Sequence, residues 1–264
     1  MARTSIGIVV TATAFLAASV LYAPGAAGAR KALRCPLIFG HGGYPKGPDA
    51  TRKDRIRQAN NPTAVDHLRA MGADGVEADV QLTRNGSKAV MWHNHTTNGL
   101  TGPRRRITDL RWSTGPGSLS SRRVARGPYE GERVYTLREW LAHAAATHTL
   151  VLLEIKPQAK RILGSKAHAA AGWRQIVGPI RERDGRDVMV YSTDPWIQDQ
   201  LARRLPDHLR GPHARWTDGV DWDEPPPSWE GNIPRWTSIL KLRPVSVMTN
   251  YPAEYRLWLA DRCA

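Results

Sequence analysis

The chain has 264 residues, 38 Lys and Arg against 24 Asp and Glu, a formal charge of +14 at pH 7 and 2 cysteines. A chain of this length suits one large domain with a full core and does not require two, and its charge favours anionic partners such as phosphates, nucleic acid or phospholipid surfaces. No zinc-type spacing accompanies Cys35 and Cys263, which argues against a structural zinc site built on the pair.

Residues 1–29 place Arg3 ahead of an apolar run from Ile6 to about Tyr22 and close on Ala27-Gly28-Ala29. That is the layout of a secretory signal peptide with its cleavage site. The apolar run is near the minimum for spanning a bilayer, but Pro24 and small residues follow it, and no cysteine stands just after it for a lipid anchor. The mature domain is therefore expected over 30–264, secreted to the extracellular side. An oxidising compartment would let Cys35 and Cys263, one at each end of the mature chain, form a disulfide.

The mature chain alternates short apolar runs with helical patterns. "PLIFGH" (36–41) predicts a first strand, and 63–73 a helix with Val65, Leu68 and Met71 on one face. "GVEADVQL" (75–82) and "KAVMWH" (88–93) predict strands. A Gly/Ser/Arg-rich insertion (114–134) precedes a helix over 136–148. "TLVLLEIKP" (149–157) is the next strand, followed by helical spacing over 165–183, a strand at 187–193 and a helix over 195–205, with Pro195 suited to its first turn. Weaker strands are expected at 211–217, 238–243 and 246–251, with a Pro-rich insertion at 218–234. Insertions of that length are candidates to cover an active face. Strand alternating with helix implies a mostly parallel sheet, and about eight strands in one domain fit a closed (β/α)8 TIM barrel.

Barrels of this kind carry their chemistry at the C-terminal ends of strands. His41 closes the first apolar run, Glu77 and Asp79 sit in the second, His93 ends the third, and Glu154 and Lys156 end the fourth. Residues two apart on a strand lie roughly 6.6 Å apart on one face, so Glu77 and Asp79 share a face. Burying acids there is costly without a partner. Three carboxylates converging from two strands would repel one another unless an oxygen-seeking divalent cation, Mg²⁺ or Ca²⁺, joins them. A cation with two histidines and a lysine is a complete set for cleaving a phosphodiester. The metal would polarise phosphorus, the imidazoles would move protons, and Lys156 would face the developing anion.

The stretches "HGG" (41–43), "NNPT" (60–63), "GADGVEADVQLTRNG" (72–86), "VMWHNH" (90–95), "TLREWL" (136–141), "LLEIKP" (152–157) and "VMTNYP" (247–252) follow one another over nearly the whole mature chain. Together they resemble the glycerophosphodiester phosphodiesterase family. That resemblance implies a TIM barrel with metal ligands at Glu77, Asp79 and Glu154, catalytic histidines at His41 and His93, and a phosphate contact at Lys156. Asn60 or Asn61 stands in the place of the family's Asn, and Asn60 is the candidate substrate contact. It also implies release of an alcohol and glycerol 3-phosphate. His41 is taken as base and His93 as acid, an order the sequence does not decide.

Four positions depart from the family pattern: Gly42 replaces an Arg, "NNPT" lacks the Glu of Glu-Asn-Thr, and Asn94 and Asn250 each replace an Asp. Two neighbouring readings stay open. One is a secreted phospholipase of the sphingomyelinase D or phosphoinositide phospholipase C type; the other is a non-catalytic barrel that binds phosphodiesters or the anionic cell envelope. The literal "HNH" at 93–95 differs from the dispersed signature of HNH nucleases. Nucleic acid is therefore not the expected partner; a small-molecule or lipid phosphodiester is, with an anionic membrane or envelope surface as a further candidate.

Overall fold

In a computed structural model of the protein, residues 34–42, 60–113, 115–127, 129–183, 187–208, 214–218 and 229–263 are described. The segment 1–29, expected to be a signal peptide, and most of the Pro-rich insertion lie outside them. The sheet contains β1 (Leu37–Gly40), β2 (Gly75–Leu82), β3 (Ala89–Met91), β4 (Leu150–Ile155), β5 (Val188–Tyr191), β6 (Arg215–Trp216) and β7 (Ser246–Thr249). Its order is β5-β4-β2-β1-β7-β6, all parallel, with β3 branching antiparallel from β2. The helices are α1 (Pro62–Ala70), α2 (Leu137–Ala146), α3 (Lys160–Leu163), α4 (Ala169–Arg181), α5 (Pro195–Arg204), α6 (Ile233–Lys241) and α7 (Pro252–Leu259). Apart from β2, which leads first into β3, each parallel strand is followed by helix, the repeating unit of the TIM barrel, which is the fold of this domain.

Side-chain alternation explains how a strand can be buried throughout and still carry acids. All eight residues of β2 are buried. Val76, Ala78, Val80 and Leu82 join Val151, Leu153 and Ile155 of β4 in a core with the inner faces of α1, α2, α4 and α5. Gly75, Glu77, Asp79 and Gln81 therefore point to the opposite face. Across β1 and β7, Ile38 and Val247 pack on Trp236, Tyr255 and Trp258 from α6 and α7.

Local signals set the helix starts. Asn61 caps α1 by accepting from the Ala64 N–H, with Pro62 behind it. Thr136 and Glu139 form a reciprocal capping box on α2, and Asp194 caps α5.

Two strand expectations change. "KAVMWH" does not contribute a parallel barrel strand: a short connection after β2 returns it antiparallel, pairing Val80 with Met91 and Leu82 with Ala89. "SILKLR" is helix through Lys241, because Trp236, Ile239 and Leu240 form one buried helical face. The insertion before α2 folds over this hairpin. Leu119, Val124, Tyr129 and Val134 cluster with Val90 and Trp92.

Cys35 and Cys263 form a disulfide, with Cα atoms 5.1 Å apart. It ties the segment before β1 to the end of α7 across 228 residues of chain, so it restricts the unfolded state strongly. Cys35→Ser is expected to cost about 2–4 kcal/mol, read as a lower denaturant midpoint than that of the oxidised parent.

Candidate active site

Strand register assembles the site in two rows. Gly40 pairs with Val76 and with Thr249, so one residue further on His41 stands between Glu77 and Asn250. Two residues higher on β2, Asp79 pairs with Glu154, and Glu154 with Tyr191. The lower row thus holds Asn250, His41 and Glu77, and the upper row Asp79, Glu154 and Tyr191.

Glu77, Asp79 and Glu154 each offer a carboxylate oxygen, and the three oxygens lie within 4.8 Å of one another. Glu77 and Asp79 are almost wholly buried, and Glu154 is only slightly more open. The Glu77 carboxylate accepts from the Gly42 N–H at 2.9 Å and from the Tyr191 hydroxyl at 3.4 Å. Burial, followed by the charges of Asp79 and Glu154, pushes its carboxyl well above the usual range. Burial also pushes Asp79 up, but His93, Lys156, the Asn60 amide and His41 together outweigh it and hold this carboxyl below its ordinary value. Burial likewise pushes Tyr191 up, with Glu77 adding to it, which keeps the phenol protonated as a donor.

Lys156 lies between the upper acids, with its Nζ 3.1 Å from Asp79 and 3.0 Å from Glu154. Burial would lower its pKa, but the two carboxylates more than offset that and raise it. With all three acids ionised, one ammonium would leave an excess of two negative charges, and after burial it is this charge that raises the Glu77 carboxyl when no cation balances it. An all-oxygen donor set with that excess fits a divalent hard cation, and Mg²⁺ or Ca²⁺ more than Zn²⁺.

The two histidines share an unexpected design. His41 Nδ1 meets Asn250 Oδ1 at 2.9 Å, while its Nε2 lies 3.9 Å from Glu77 Oε2. His93 Nδ1 meets Asn94 Oδ1 at 3.2 Å. An amide oxygen only accepts, so in each of these two contacts the imidazole Nδ1 is the donor. The two asparagines that break the family's pattern are thus the orienting partners of its two histidines. Asn250 is itself held, because its N–H donates to Asp218 at 2.7 Å, and Asp218 also accepts from the Thr249 and Thr217 hydroxyls.

Gln81 positions His93. From the face of β2 that carries Glu77 and Asp79, its Nε2 donates to the Trp92 and His93 carbonyls at 3.0 and 3.3 Å and also to the Asn94 carbonyl. The loop after β3 is thereby gathered onto the acidic strand. His93 reaches the site from this loop rather than from the end of a parallel strand.

Asn60 contacts one of the three clustered carboxylates. Its Nδ2 donates to Asp79 Oδ2 at 2.9 Å, and its Oδ1 accepts from the Asp79 N–H at 2.8 Å. Asn60→Ala would leave both Asp79 groups unpaired, costing about 1–3 kcal/mol. Divalent-cation affinity should weaken about 10–100-fold, a loss that calorimetric titration would read. Gly42, at φ +63, donates its backbone N–H to Glu77, and a Cβ there would meet nothing within 4 Å. Among the described residues, no arginine bonds to the three carboxylates.

All seven residues expected at the site, His41, Asn60, Glu77, Asp79, His93, Glu154 and Lys156, come together. Asp218, Tyr191 and Gln81 were not anticipated. Tyr191 ends an apolar strand, which is the signal that could have found it; Asp218 follows the short Arg215–Trp216 strand, which carries no such signal; Gln81 continues the i, i+2 series of Glu77 and Asp79.

The sequence model of the glycerophosphoryl diester phosphodiesterase family matches residues 58–257. No curated protein matches the chain. A glycerophosphoryl diester phosphodiesterase homologue from Silicibacter pomeroyi superposes with TM-score 0.61 at 17% identity, covering 86% of this chain and 94% of its own. A glycerophosphodiester phosphodiesterase from Agrobacterium tumefaciens gives 0.57 at 13% identity, with 84% and 99% covered. An Oleispira antarctica phosphodiesterase, solved in complex with the product sn-glycerol-3-phosphate, gives 0.52 at 15% identity, with 84% and 96% covered.

Proposed function

We propose, from the premise that the chain belongs to the glycerophosphoryl diester phosphodiesterase family, that it cleaves glycerophosphodiesters with a divalent cation and two histidines. Membership supports the reaction class, an enzyme acting on a glycerophosphodiester. The observation that carries the finer reading is the three-carboxylate cluster flanked by His41 and His93.

Glu77, Asp79 and Glu154 would hold Mg²⁺ or Ca²⁺. When bound, the cation would supply Lewis-acid polarisation of the phosphoryl group. Lys156, fixed by Asp79 and Glu154, offers its ammonium to a phosphoryl oxygen whose negative charge grows as the bond order at phosphorus changes. His41, with Nδ1 held by Asn250, presents a basic Nε2 and accepts the proton of the attacking hydroxyl. His93, whose loop Gln81 ties to β2, acts in its doubly protonated form and gives its Nε2 proton to the departing alkoxide. Attack by the substrate's own hydroxyl leaves a cyclic phosphate, which water then opens with the proton roles of the two histidines exchanged, so the products are an alcohol and glycerol 3-phosphate.

The Asn250 contact is a handle on this assignment. Asn250→Leu should lower kcat at least about tenfold and change KM little, since it disorders a proton-transfer group and removes no binding contact. The substrate panel comprises glycerophosphodiesters, lysophospholipids and phosphoinositides, each with EDTA, Mg²⁺ and Ca²⁺. Release of glycerol 3-phosphate from the first group only is the expected result. Turnover confined to lysophospholipids or phosphoinositides would favour the phospholipase reading, and none in any arm the non-catalytic one.

Export is part of the proposal, supported by the 1–29 sequence pattern and by a disulfide suited to an oxidising compartment. N-terminal sequencing of the protein recovered outside the cytoplasm should begin near Arg30.

A further inference from the structure

A basic concavity lies apart from the carboxylate cluster, where the β2–β3 connection meets the start of α4. It is a cavity of about 440 Å³ lined by Arg84, Asn85, Arg105, Arg161, Ser165 and His168 among others. Its one acid, Asp109, is paired with Arg161 at 2.7 Å. Among the described residues, Arg84 and Arg105 form no side-chain ion pair or hydrogen bond, so the lining keeps an excess of two positive charges with His168 neutral.

The backbone builds this place deliberately. Asn85 and Gly86 are both at φ +64, a tight connection for which Asn-Gly is suited. A Cβ on Gly86 would lie 2.6 Å from the Gly172 nitrogen, and one on Gly172 3.0 Å from Leu82. Two facing glycines therefore let the connection dock against the first turn of α4, bringing Arg84 beside the helix start. His168 stands at the N-cap of that 13-residue helix and makes no capping bond. The dipole of α4 adds to the arginines' positive potential, although its Ala169 and Gly172 N–H groups are already taken by the Ser165 and His168 carbonyls.

We propose that this cavity is a second phosphate-binding site, taking a phosphate group outside the catalytic centre. Planar guanidiniums fork onto phosphate oxygens, and Ser165, Thr108 and Asn85 add neutral hydrogen-bonding groups. The phosphate could be free in solution or the exposed headgroup of an anionic lipid. α3 and α4 follow the end of β4, where Lys156 stands, so the cavity opens at the same end of the sheet as the carboxylates.

The test is made on the full chain in EDTA, with two probes: inorganic phosphate by calorimetry, and phosphatidylglycerol vesicles by co-sedimentation, with phosphatidylcholine vesicles as reference. The variant is R84E/R105E, which changes two exposed side chains; an unaltered thermal melt verifies its fold independently of any catalytic assay. At least tenfold weaker binding of both probes by the variant supports the site for either source. Loss confined to phosphate supports a soluble ligand, and loss confined to vesicles a lipid headgroup. Equal binding by parent and variant, or no binding of either probe by the parent, overturns the proposal.

Discussion

Glu77→Gln is expected to stabilise the metal-free fold while nearly abolishing turnover. Glu77 is buried, carries the charge that Asp79 and Glu154 oppose most, and has no lysine or arginine in contact among the described residues. A glutamine of the same shape can still accept from the Gly42 N–H, and it removes a repelled, desolvated charge. In EDTA the variant should melt above the parent, by the equivalent of about 1 kcal/mol. It should also lose one of three cation ligands, with kcat/KM falling by about three orders of magnitude, or about 4 kcal/mol of transition-state stabilisation. Opposite signs on stability and activity mark a residue kept for function; a structural carboxylate would lose stability with its charge. Added Mg²⁺ or Ca²⁺ should raise the melting temperature of the parent and leave the variant nearly unmoved.

His41→Ala and His93→Ala should each lower kcat on a glycerophosphodiester by about 10²–10⁴, and the leaving group separates their roles. An alkoxide such as choline needs a proton as it departs, whereas p-nitrophenolate does not. The acid variant, expected to be His93→Ala, should therefore recover most of its rate on bis(p-nitrophenyl) phosphate. The base variant, expected to be His41→Ala, should stay impaired on both substrates. The reverse pattern would exchange the two assignments, and unchanged hydrolysis in both variants would remove the two-histidine mechanism.

Much of the site was legible because a charge inside an apolar strand is costly, and such costs stand out in sequence. Glu77, Asp79 and Glu154 were recognisable for that reason, and the register of β2 against β4 brings them together. What sequence spacing could not show is which residues hold others in place. Asn60 and Asn61 look alike in "NNPT", yet one pins Asp79 and the other caps α1. Asn94 and Asn250 read as two unrelated departures from the family pattern; only the folded chain places one on each imidazole.

The misread strands have the same origin. A short apolar run such as "SILKLR" fits a strand until Trp236 extends it into a helical face, and "KAVMWH" carries no mark of direction along the barrel. The antiparallel turn is nonetheless what lets Gln81 gather the His93 loop onto β2.

The central claim is that three carboxylates from β2 and β4 make diester hydrolysis depend on a divalent cation. The most direct test measures glycerol 3-phosphate released from glycerophosphocholine by EDTA-stripped protein, before and after Mg²⁺ or Ca²⁺ is restored. The account predicts a loss of at least about a hundredfold on stripping and recovery with one of the two cations. Hydrolysis at the same rate with and without EDTA would contradict it.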